Sequence, residues 1–512
     1  MAYATTFGPL DLHGIERLAE LFACKLQPGQ TVTLTGDLGQ GKSTFARAAI
    51  RGFLADADAD VPSPTFSIVQ VYDGDRGAIW HCDWYRLSAA DELAELGVEA
   101  AFETAIVLVE WPAVGAGALP DDRIDLKLRD VPGEPDARAV AAMATGRRSA
   151  RTLERIVMLD RALASAQLGH VLSVRYLQGD ASSRSYARAN TANGPVILMD
   201  APAMPDGPPV RDGKPYSRIA HLAEDVRPFV AIARHLKQHG LSVPHISHAD
   251  LGAGVLVIED LGDAVFTLAD AGSAQQSQQI RAAVDVLLHV RRVRPPIEMA
   301  MGDEARRYAL PLFDTAAREI EADLLLDWAW PSLNRAACTP AAREAFHAAW
   351  AASFESLTDE TGWVLRDYHS PNLLGLPDRK GVASVGVIDF QDAMAGHWAY
   401  DLVSLLQDAR MDVEARIEST ELARYISSAS DFEPGFDADA FERAYTFWGA
   451  QRATKIIGIF HRLATRDGKP QYLRHLPRMR RYLARNLAHP ALAPVAAWFA
   501  DHLPDLAPQQ RS

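Results

Sequence analysis

The sequence predicts two folded units, an α/β P-loop NTPase domain followed by a bilobal α+β protein-kinase-like domain. Three observations carry that expectation. An apolar, β-branched run at Thr31–Leu34 leads into the glycine loop Gly36–Lys42 and then a helical pattern at Ser43–Phe53. Far downstream, Asp367 and Asn372 stand in a D-x-x-x-x-N spacing, and an apolar run at Val385–Ile388 ends in Asp389-Phe390-Gln391. Between them the pattern breaks: Asp130–Asp136 is rich in Pro, Gly and acid, and Gly146–Arg151 is small and basic.

Composition narrows the function. The 512 residues suffice for about three compact units at roughly 100–200 residues each. Hydrophobic residues at 48% and charged residues at 23% exclude a disordered or fibrous chain. The formal net charge of −14 argues against non-specific binding to nucleic acid or anionic membrane, both of which need basic surface. The acid is uneven: the first 150 residues hold 22 acidic against 13 basic side chains, which sets that part of the chain off from the rest. Cys24, Cys82 and Cys338 are odd in number and lack C-x-x-C spacing, so neither a disulfide framework nor a cysteine zinc site is expected. No window approaches the ~18 uninterrupted apolar residues of a membrane span. Met1–Gly14 lacks a basic-then-apolar leader pattern. The expectation is a cytoplasmic chain without a membrane partner.

In the first unit, Gly36-Asp37-Leu38-Gly39-Gln40-Gly41-Lys42-Ser43 matches G-x-x-x-x-G-K-[ST]. Gly36, Gly39 and Gly41 let consecutive backbone N–H groups converge on phosphate oxygens. Lys42 then reaches the β- and γ-phosphates of ATP, the Ser43 hydroxyl ligates Mg²⁺, and the helix N-terminus with Thr44 faces the anion. Such a loop also needs an acid near Mg²⁺ and a group that positions water. Asp83 in His81-Cys82-Asp83-Trp84-Tyr85-Arg86, Glu110 at the end of the apolar run Ala105–Val109, and Thr65 in Ser63-Pro64-Thr65-Phe66 are the candidates. Trp111, next to Glu110, is expected in the core on residue type. Ile124–Leu128 alternates apolar and charged and reads as a further strand.

Taken together, GDLGxGKST, SPTF, HxDxYR and VEWP resemble the TsaE family over about residues 5–140. That family is the ATPase component of the bacterial machinery that makes threonylcarbamoyladenosine in tRNA. The resemblance implies ATP hydrolysis and complexes with TsaD- and TsaB-like proteins, so tRNA is served only indirectly. It implies metal and water positioning by Asp83 and Glu110 and a switch role for Thr65. Ser43 stands where the family commonly has Thr, and either hydroxyl ligates the metal.

Thr152 is expected to N-cap the next helix, with Leu153, Ile156, Val157, Leu159, Leu163 and Leu168 forming its apolar stripe. The domain boundaries expected are 1–146, a linker at 147–152, and 153–508. Gly179–Tyr186 (GDASSRSY) lies between strand patterns and is suited to cover ATP phosphates, with Ser182 and Ser183 hydroxyls beside the backbone N–H groups. Pro195–Met199 is the strand on which a kinase carries its phosphate-pairing lysine. Here it offers Met199 and then Asp200, and the nearest downstream lysine is Lys214 in a Pro/Gly-dense loop. Glu224 is a candidate for the helix that would pair with that lysine. Val255–Asp260 reads as a strand entering a hinge, where Glu259 would help hold the adenine edge. In the catalytic segment, one Asp accepts the acceptor hydroxyl proton while an Asn and a second Asp hold Mg²⁺.

The stretches GDASSRSYAR, VILMDAPA, VIEDLGD, LRDYHSPNLL and IDFQDAMAGHWAYDLVSLLQDAR resemble the aminoglycoside phosphotransferase and choline-kinase-like superfamily over about residues 153–505. Within it they look like the AmgK-type kinases, which phosphorylate the anomeric hydroxyl of N-acetylmuramate and N-acetylglucosamine in peptidoglycan recycling. That resemblance implies Asp367 as base, Asn372 and Asp389 as Mg²⁺ ligands, Asp401 as a brace for the catalytic loop, and M-D-A-P as a family form of the lysine strand. The whole chain then reads as a bifunctional enzyme. Two rival readings stand beside it: a second half that phosphorylates an aminoglycoside or amino alcohol, and a first half that binds nucleotide only to dock on partners. The short polar linker predicts two independent sites.

Overall fold

The computed structural model describes residues 2–87, 92–177, 184–301, 306–357 and 361–507. It falls into two compact units, Met1–Ala203 with Ile246–Asp260, and Met204–His245 with Leu261–Ser512.

The first unit contains a seven-stranded sheet. Its strands are β1 (Tyr3–Leu10), β2 (Gln30–Thr35), β3 (Val69–Gly74), β4 (Gly77–Asp83), β5 (Ile106–Glu110), β6 (Arg123–Val131) and β7 (Glu134–Ala144), in the order β1-β7-β6-β2-β5-β4-β3. The centre is parallel: β2 pairs with β5 and β6, and β5 with β4. Parallel strands covered on both faces read as unbroken apolar runs, and all four residues of Ile106–Val109 are fully buried. Two helices cover one face, α1 (Leu12–Lys25) and α2 (Lys42–Leu54). Asp11 caps α1 by accepting from the Gly14 N–H at 2.8 Å. The helices meet through the edge-on pair Phe22–Phe45, with ring centroids 5.3 Å apart.

The same unit holds a second, antiparallel sheet of five strands. Three are β8 (Val171–Leu177), β9 (Ser185–Thr191) and β10 (Gly194–Asp200); the other two are Ile246–Asp250 and Val255–Glu259. Side chains alternate across a strand, so Val196, Leu198 and Asp200 share one face of β10. Val196 and Leu198, with Val174, Ala187, Ala189, Val255 and Val257, belong to the same continuous core as Phe22, Phe45 and Leu34 of the first sheet.

The helix Arg147–Ser165 joins the two sheets through that core, burying Leu153, Ile156, Val157, Leu159 and Leu163. This corrects the linker expected at 147–152, since those residues are the first turns of the helix. Its cap position is Gly146. Thr152 lies inside the helix, and its Oγ1 accepts from Gln30 Nε2 at 3.0 Å. The apolar stripe that begins at Leu153 was readable; the basic turn before it is helical because Asp122 accepts from the N–H groups of Arg148 and Ser149.

Polar contacts reinforce the shared core. Lys25 of α1 and Arg155 both bind the Asp200 carboxylate. Arg17 pairs with Asp160 at 2.8 Å. Glu20 accepts from the Val174 N–H of β8. Burial pushes the Glu20 carboxyl up to about 7, against the pull of that N–H and of Arg175. Arg76 donates to the Ala23 and Leu26 carbonyls at the end of α1 while lying 4.4 Å from the Tyr176 ring centroid.

The second unit is mostly helical. Its axis is the 28-residue helix Ala438–Thr465, buried on nearly every side. Against it runs Thr315–Leu324, which continues into a π turn at Leu325–Ala329. The two backbones meet at Gly458, where a Cβ would lie 2.2 Å from the Leu324 carbonyl carbon. Two short hairpin strands, Leu373–Gly375 and Val385–Val387, carry the catalytic segment. No helix among the described residues is long and apolar enough to cross a membrane.

Candidate active sites

The glycine loop forms the connection between β2 and α2. Gly36, Gly39 and Gly41 all have positive φ, at 144°, 81° and 95°. Gly36 tolerates no side chain, because a Cβ would meet Gln40 Oε1 at 2.6 Å and the Leu128 carbonyl at 2.8 Å. Gln40 in turn accepts from the Asp37 N–H at 2.7 Å, which sets the turn. Lys42 donates to the Gly36 and Asp37 carbonyls, both at 2.9 Å. Burial lowers its pKa, and the charges of Glu110, Asp83 and Asp37 counter that.

The parallel register of β4 and β5 sets Asp83 directly beside Glu110. Glu110 accepts from the Ser43 hydroxyl at 2.8 Å, and Asp83 from the Thr65 hydroxyl at 2.9 Å. With Gly39, Gly41 and Thr44 these residues line a cavity of about 300 Å³. Of the P-loop candidates, Gly39, Gly41, Lys42, Ser43, Thr44, Thr65, Asp83 and Glu110 are therefore brought to one place, and the Gly36 carbonyl holds Lys42 beside them.

Two features escaped the sequence reading. His81, fully buried, contacts Glu110 Oε1 through Nε2 at 2.9 Å. Its spacing of two from Asp83 on one strand was the signal, since i and i+2 share a face. Trp111 is not in the core. It has positive φ, and its ring lies 3.7 Å from Lys42 Nζ. A residue-type prior cannot foresee a strand end that flips its side chain toward the loop.

In the second unit, Asp367 and Asn372 lie on the loop after Gly362–Val364, and Asp389 follows Val385–Val387. Asn372 Nδ2 donates to the Asp367 carbonyl at 3.0 Å and to Asp389 Oδ2 at 3.3 Å. Gln391 Nε2 donates to Asp389 Oδ1 at 2.7 Å. Arg366 and Asp389 both take positive φ, at 73° and 61°. Such backbone needs support from its surroundings.

That support is visible. Asp401 accepts from the N–H groups of Leu365 and Arg366 at 2.6 and 2.9 Å. Burial raises its carboxyl to about 7, although these two donors pull it down. Asp408 accepts from the Ser370 N–H at 2.8 Å. Beneath the loop, buried Glu321 binds both Arg366 and Lys455, the latter at 2.7 Å. Burial alone would raise the Glu321 carboxyl, but Lys455 and Arg366 outweigh it and hold it below its usual value. Asp367 behaves the same way: burial opposes its charge, and Lys455, His369, Arg366 and Arg452 overcome that. The sequence reading placed Asp401 here but missed Glu321, Lys455 and Asp408.

Phe390 stacks on Phe229 of the helix Arg227–Gln238 at 4.9 Å. Glu224 lies before that helix, not on it, and accepts from the Ser217 hydroxyl at 2.8 Å. Ser182 and Ser183 lie outside the described residues. Glu259, in the first unit, is the last residue of Val255–Glu259 and is paired in register with Val196. Asp200 faces the shared core, while its neighbour Met199 points to the opposite side of the sheet.

Both sets of donors suit Mg²⁺, which takes hard oxygen ligands such as hydroxyls, carboxylates and amide carbonyls. Ser43 with Asp83 and Glu110, and Asn372 with Asp389, present that chemistry. Neither set offers sulfur.

Comparison with known proteins assigns the two sites to two families, and the second match begins inside the first compact unit, at its five-stranded sheet. The profile described as threonylcarbamoyl adenosine biosynthesis protein TsaE matches residues 11–139. The profile of the phosphotransferase enzyme family, APH, matches residues 173–441. An N-acetylmuramate/N-acetylglucosamine kinase of Caulobacter vibrioides is 37% identical over 338 residues, covering 64% of this chain and 91% of that protein. The kinase of the same name from Pseudomonas aeruginosa is 33% identical over 335 residues, 63% of this chain and 86% of the relative. A tRNA threonylcarbamoyladenosine biosynthesis protein TsaE of Rickettsia bellii is 38% identical over 114 residues, 22% of this chain and 78% of the relative.

Proposed function

This chain belongs to the TsaE family in its first part and to the phosphotransferase enzyme family in its second, and from that premise we propose two activities on one polypeptide. The first is the ATPase of tRNA threonylcarbamoyladenosine biosynthesis. The second is an ATP-dependent kinase of N-acetylmuramate and N-acetylglucosamine that acts on the anomeric hydroxyl. The names of the relatives favour an amino-sugar acceptor over an aminoglycoside or amino alcohol. Both activities use ATP with Mg²⁺ and belong in the cytoplasm, where ATP and tRNA are found.

The observation that carries the kinase reading is the bonded set Asp367, Asn372 and Asp389. Asp367 accepts the proton of the sugar hydroxyl as that oxygen attacks the γ-phosphorus, and ADP leaves with the broken bond's electrons. Asn372 and Asp389 would hold Mg²⁺, which would supply charge to offset that developing on the transferred phosphoryl group. Asp401 and Asp408 fix the backbone so that Asp367 meets the hydroxyl without rearrangement.

In the ATPase, the N–H groups from Gly39 to Thr44 and the Lys42 ammonium bind phosphate. Ser43 and Asp83 would hold Mg²⁺. Glu110, oriented by His81, positions the attacking water, and Thr65 reports the state of the γ-phosphate through Asp83. The partners of this unit are TsaD- and TsaB-like proteins, and tRNA is reached through them.

A panel of acceptors tests the second activity. Turnover of the two amino sugars with none of kanamycin or choline supports the reading, and the reverse pattern overturns it. ATP hydrolysis measured with and without TsaD- and TsaB-like partners tests the first. A rate that the partners raise supports it, and a chain that never hydrolyses ATP in their presence overturns it.

A further inference from the structure

A cavity of about 570 Å³ opens in the second unit, lined by the segment Lys214–Pro228 and by Met301 and Arg307–Pro311. Three contacts tie its walls to the catalytic loop. Arg366, adjacent to Asp367, donates through Nη1 to the Ala220 carbonyl at 2.8 Å. The Ala223 N–H donates to Asp392, three residues after Asp389, at 2.6 Å. The Ala395 N–H donates to the Pro311 carbonyl at 2.8 Å. Tyr308, on the cavity wall, has its phenol pushed up to about 12 by burial and then by the charges of Asp392 and Asp225. The cavity volume is within the range of small-molecule sites.

Its charge is distinctive. Among the described residues, the acids on its wall are engaged: Glu224 accepts from Ser217, and Asp225 pairs with Arg227. Arg218 pairs with Asp206 at 2.7 Å. Among the described residues, Lys214 and Arg307 have no ion-pair partner, and both stand exposed on the cavity lining. In a chain of net charge −14, two unpaired cations facing one cavity point to an anionic ligand.

N-acetylglucosamine is neutral, whereas N-acetylmuramate carries a lactyl carboxylate. We propose that this cavity receives the acceptor sugar and that Arg307, with Lys214, binds the carboxylate of N-acetylmuramate. The proposal rests on the amino-sugar kinase reading and adds the residues that choose between its two substrates. Arg307 offers the two-pronged donor geometry that a carboxylate accepts, and Lys214 a point charge. Both are specificity residues: they touch the part of the sugar that distinguishes the substrates and leave the chemistry to Asp367.

The test is the ratio of kcat/KM for N-acetylmuramate to that for N-acetylglucosamine, measured on the full chain. Arg307→Ala lowers this ratio about tenfold, the size of effect expected for one lost charge-assisted hydrogen bond. Arg307→Lys recovers part of it, and Arg307→Ala with Lys214→Ala lowers it further. A ratio unchanged within about twofold in the double variant overturns the proposal and leaves the kinase reading in place. A raised KM for ATP with an unchanged ratio also overturns it, by assigning these cations to the nucleotide phosphates. A wild-type chain that phosphorylates neither sugar removes the kinase reading, and the proposal falls with it.

Discussion

The two sites bring their acids together by different means. At the P-loop, register does the positioning: β4 and β5 run parallel, and Asp83 and Glu110 end side by side. At the kinase loop there is no such ladder. Asp367 lies on irregular backbone between Arg366 and Asp389, both at positive φ. Asp401 and Asp408 hold that backbone from behind, and Glu321 ties Arg366 to Lys455 beneath it. A site built on sheet register needs little beyond the sheet. A site built on loop backbone needs a second layer of buried charge, and its activity should respond to substitutions that never touch substrate.

The largest effect should come from the group that moves the proton. Asp367→Asn is expected to lower kcat for sugar phosphorylation by about 10³-fold, with ATP hydrolysis at the P-loop within about twofold of wild type. Steady-state assays of both activities on the same preparation check this. At the other site, Glu110→Gln is expected to lower partner-stimulated hydrolysis by roughly 10²-fold and to spare sugar turnover. If either variant impairs both activities equally, the sites are not chemically separate.

The shared core sets a limit on that separation. Asp200 is almost fully buried and binds two cations from the first sheet's side of the core. Asp200→Ala leaves Lys25 and Arg155 without their carboxylate and is expected to cost about 3 kcal/mol, read as a lower denaturant midpoint. The fluorescence of Trp111 beside the P-loop and the hydrogen-exchange protection of the second sheet's amides should be lost in one transition, because the two sheets share one core. Two separated transitions would show that each sheet folds alone.

A smaller effect tests the loop's second layer. Asp401→Asn keeps one acceptor oxygen for the two N–H groups and is expected to lower kcat roughly tenfold with KM for sugar little changed. A loss confined to KM would place Asp401 in binding rather than in support of Asp367.

The smallest effect is one of pH. The Glu20 carboxyl is raised to about 7 in the folded chain from about 4.5 when unfolded. Between those values the folded state binds the proton and the unfolded state does not, so Glu20 subtracts stability as pH rises from about 4.5 to 7. Glu20→Gln is expected to remove about 1–2 kcal/mol of that loss and to stabilise the chain at pH 8. Denaturant midpoints at pH 5 and pH 8 give the comparison.

Legibility in the sequence followed distance along the chain. Gly36–Ser43 and Ile106–Glu110 were readable because loop, strand and acid are each local patterns. The D-x-x-x-x-N and D-F-Q spacing placed Asp367, Asn372 and Asp389 in the same way. Lys25 and Asp200 are 175 residues apart, and Glu321 and Lys455 are 134 apart. No local pattern announces such partners. Asp200 was noted only as the residue after Met199 on the strand where a kinase carries its lysine, and nothing near it pointed to Lys25. The linker expectation failed for the same reason: the basic turn at 147–152 is helical because of Asp122, a residue some twenty-five positions earlier. Without that short polar linker, independence of the two sites rests on their separate chemistry.

Phosphorus NMR of ATP incubated with N-acetylmuramate, using the wild-type chain and Lys42→Ala, separates the two activities on one polypeptide. A sugar 1-phosphate signal is expected to grow at the same rate in both, within about twofold, because Lys42 belongs only to the P-loop. Absence of that signal in the wild type, or its loss in Lys42→Ala, would contradict that expectation.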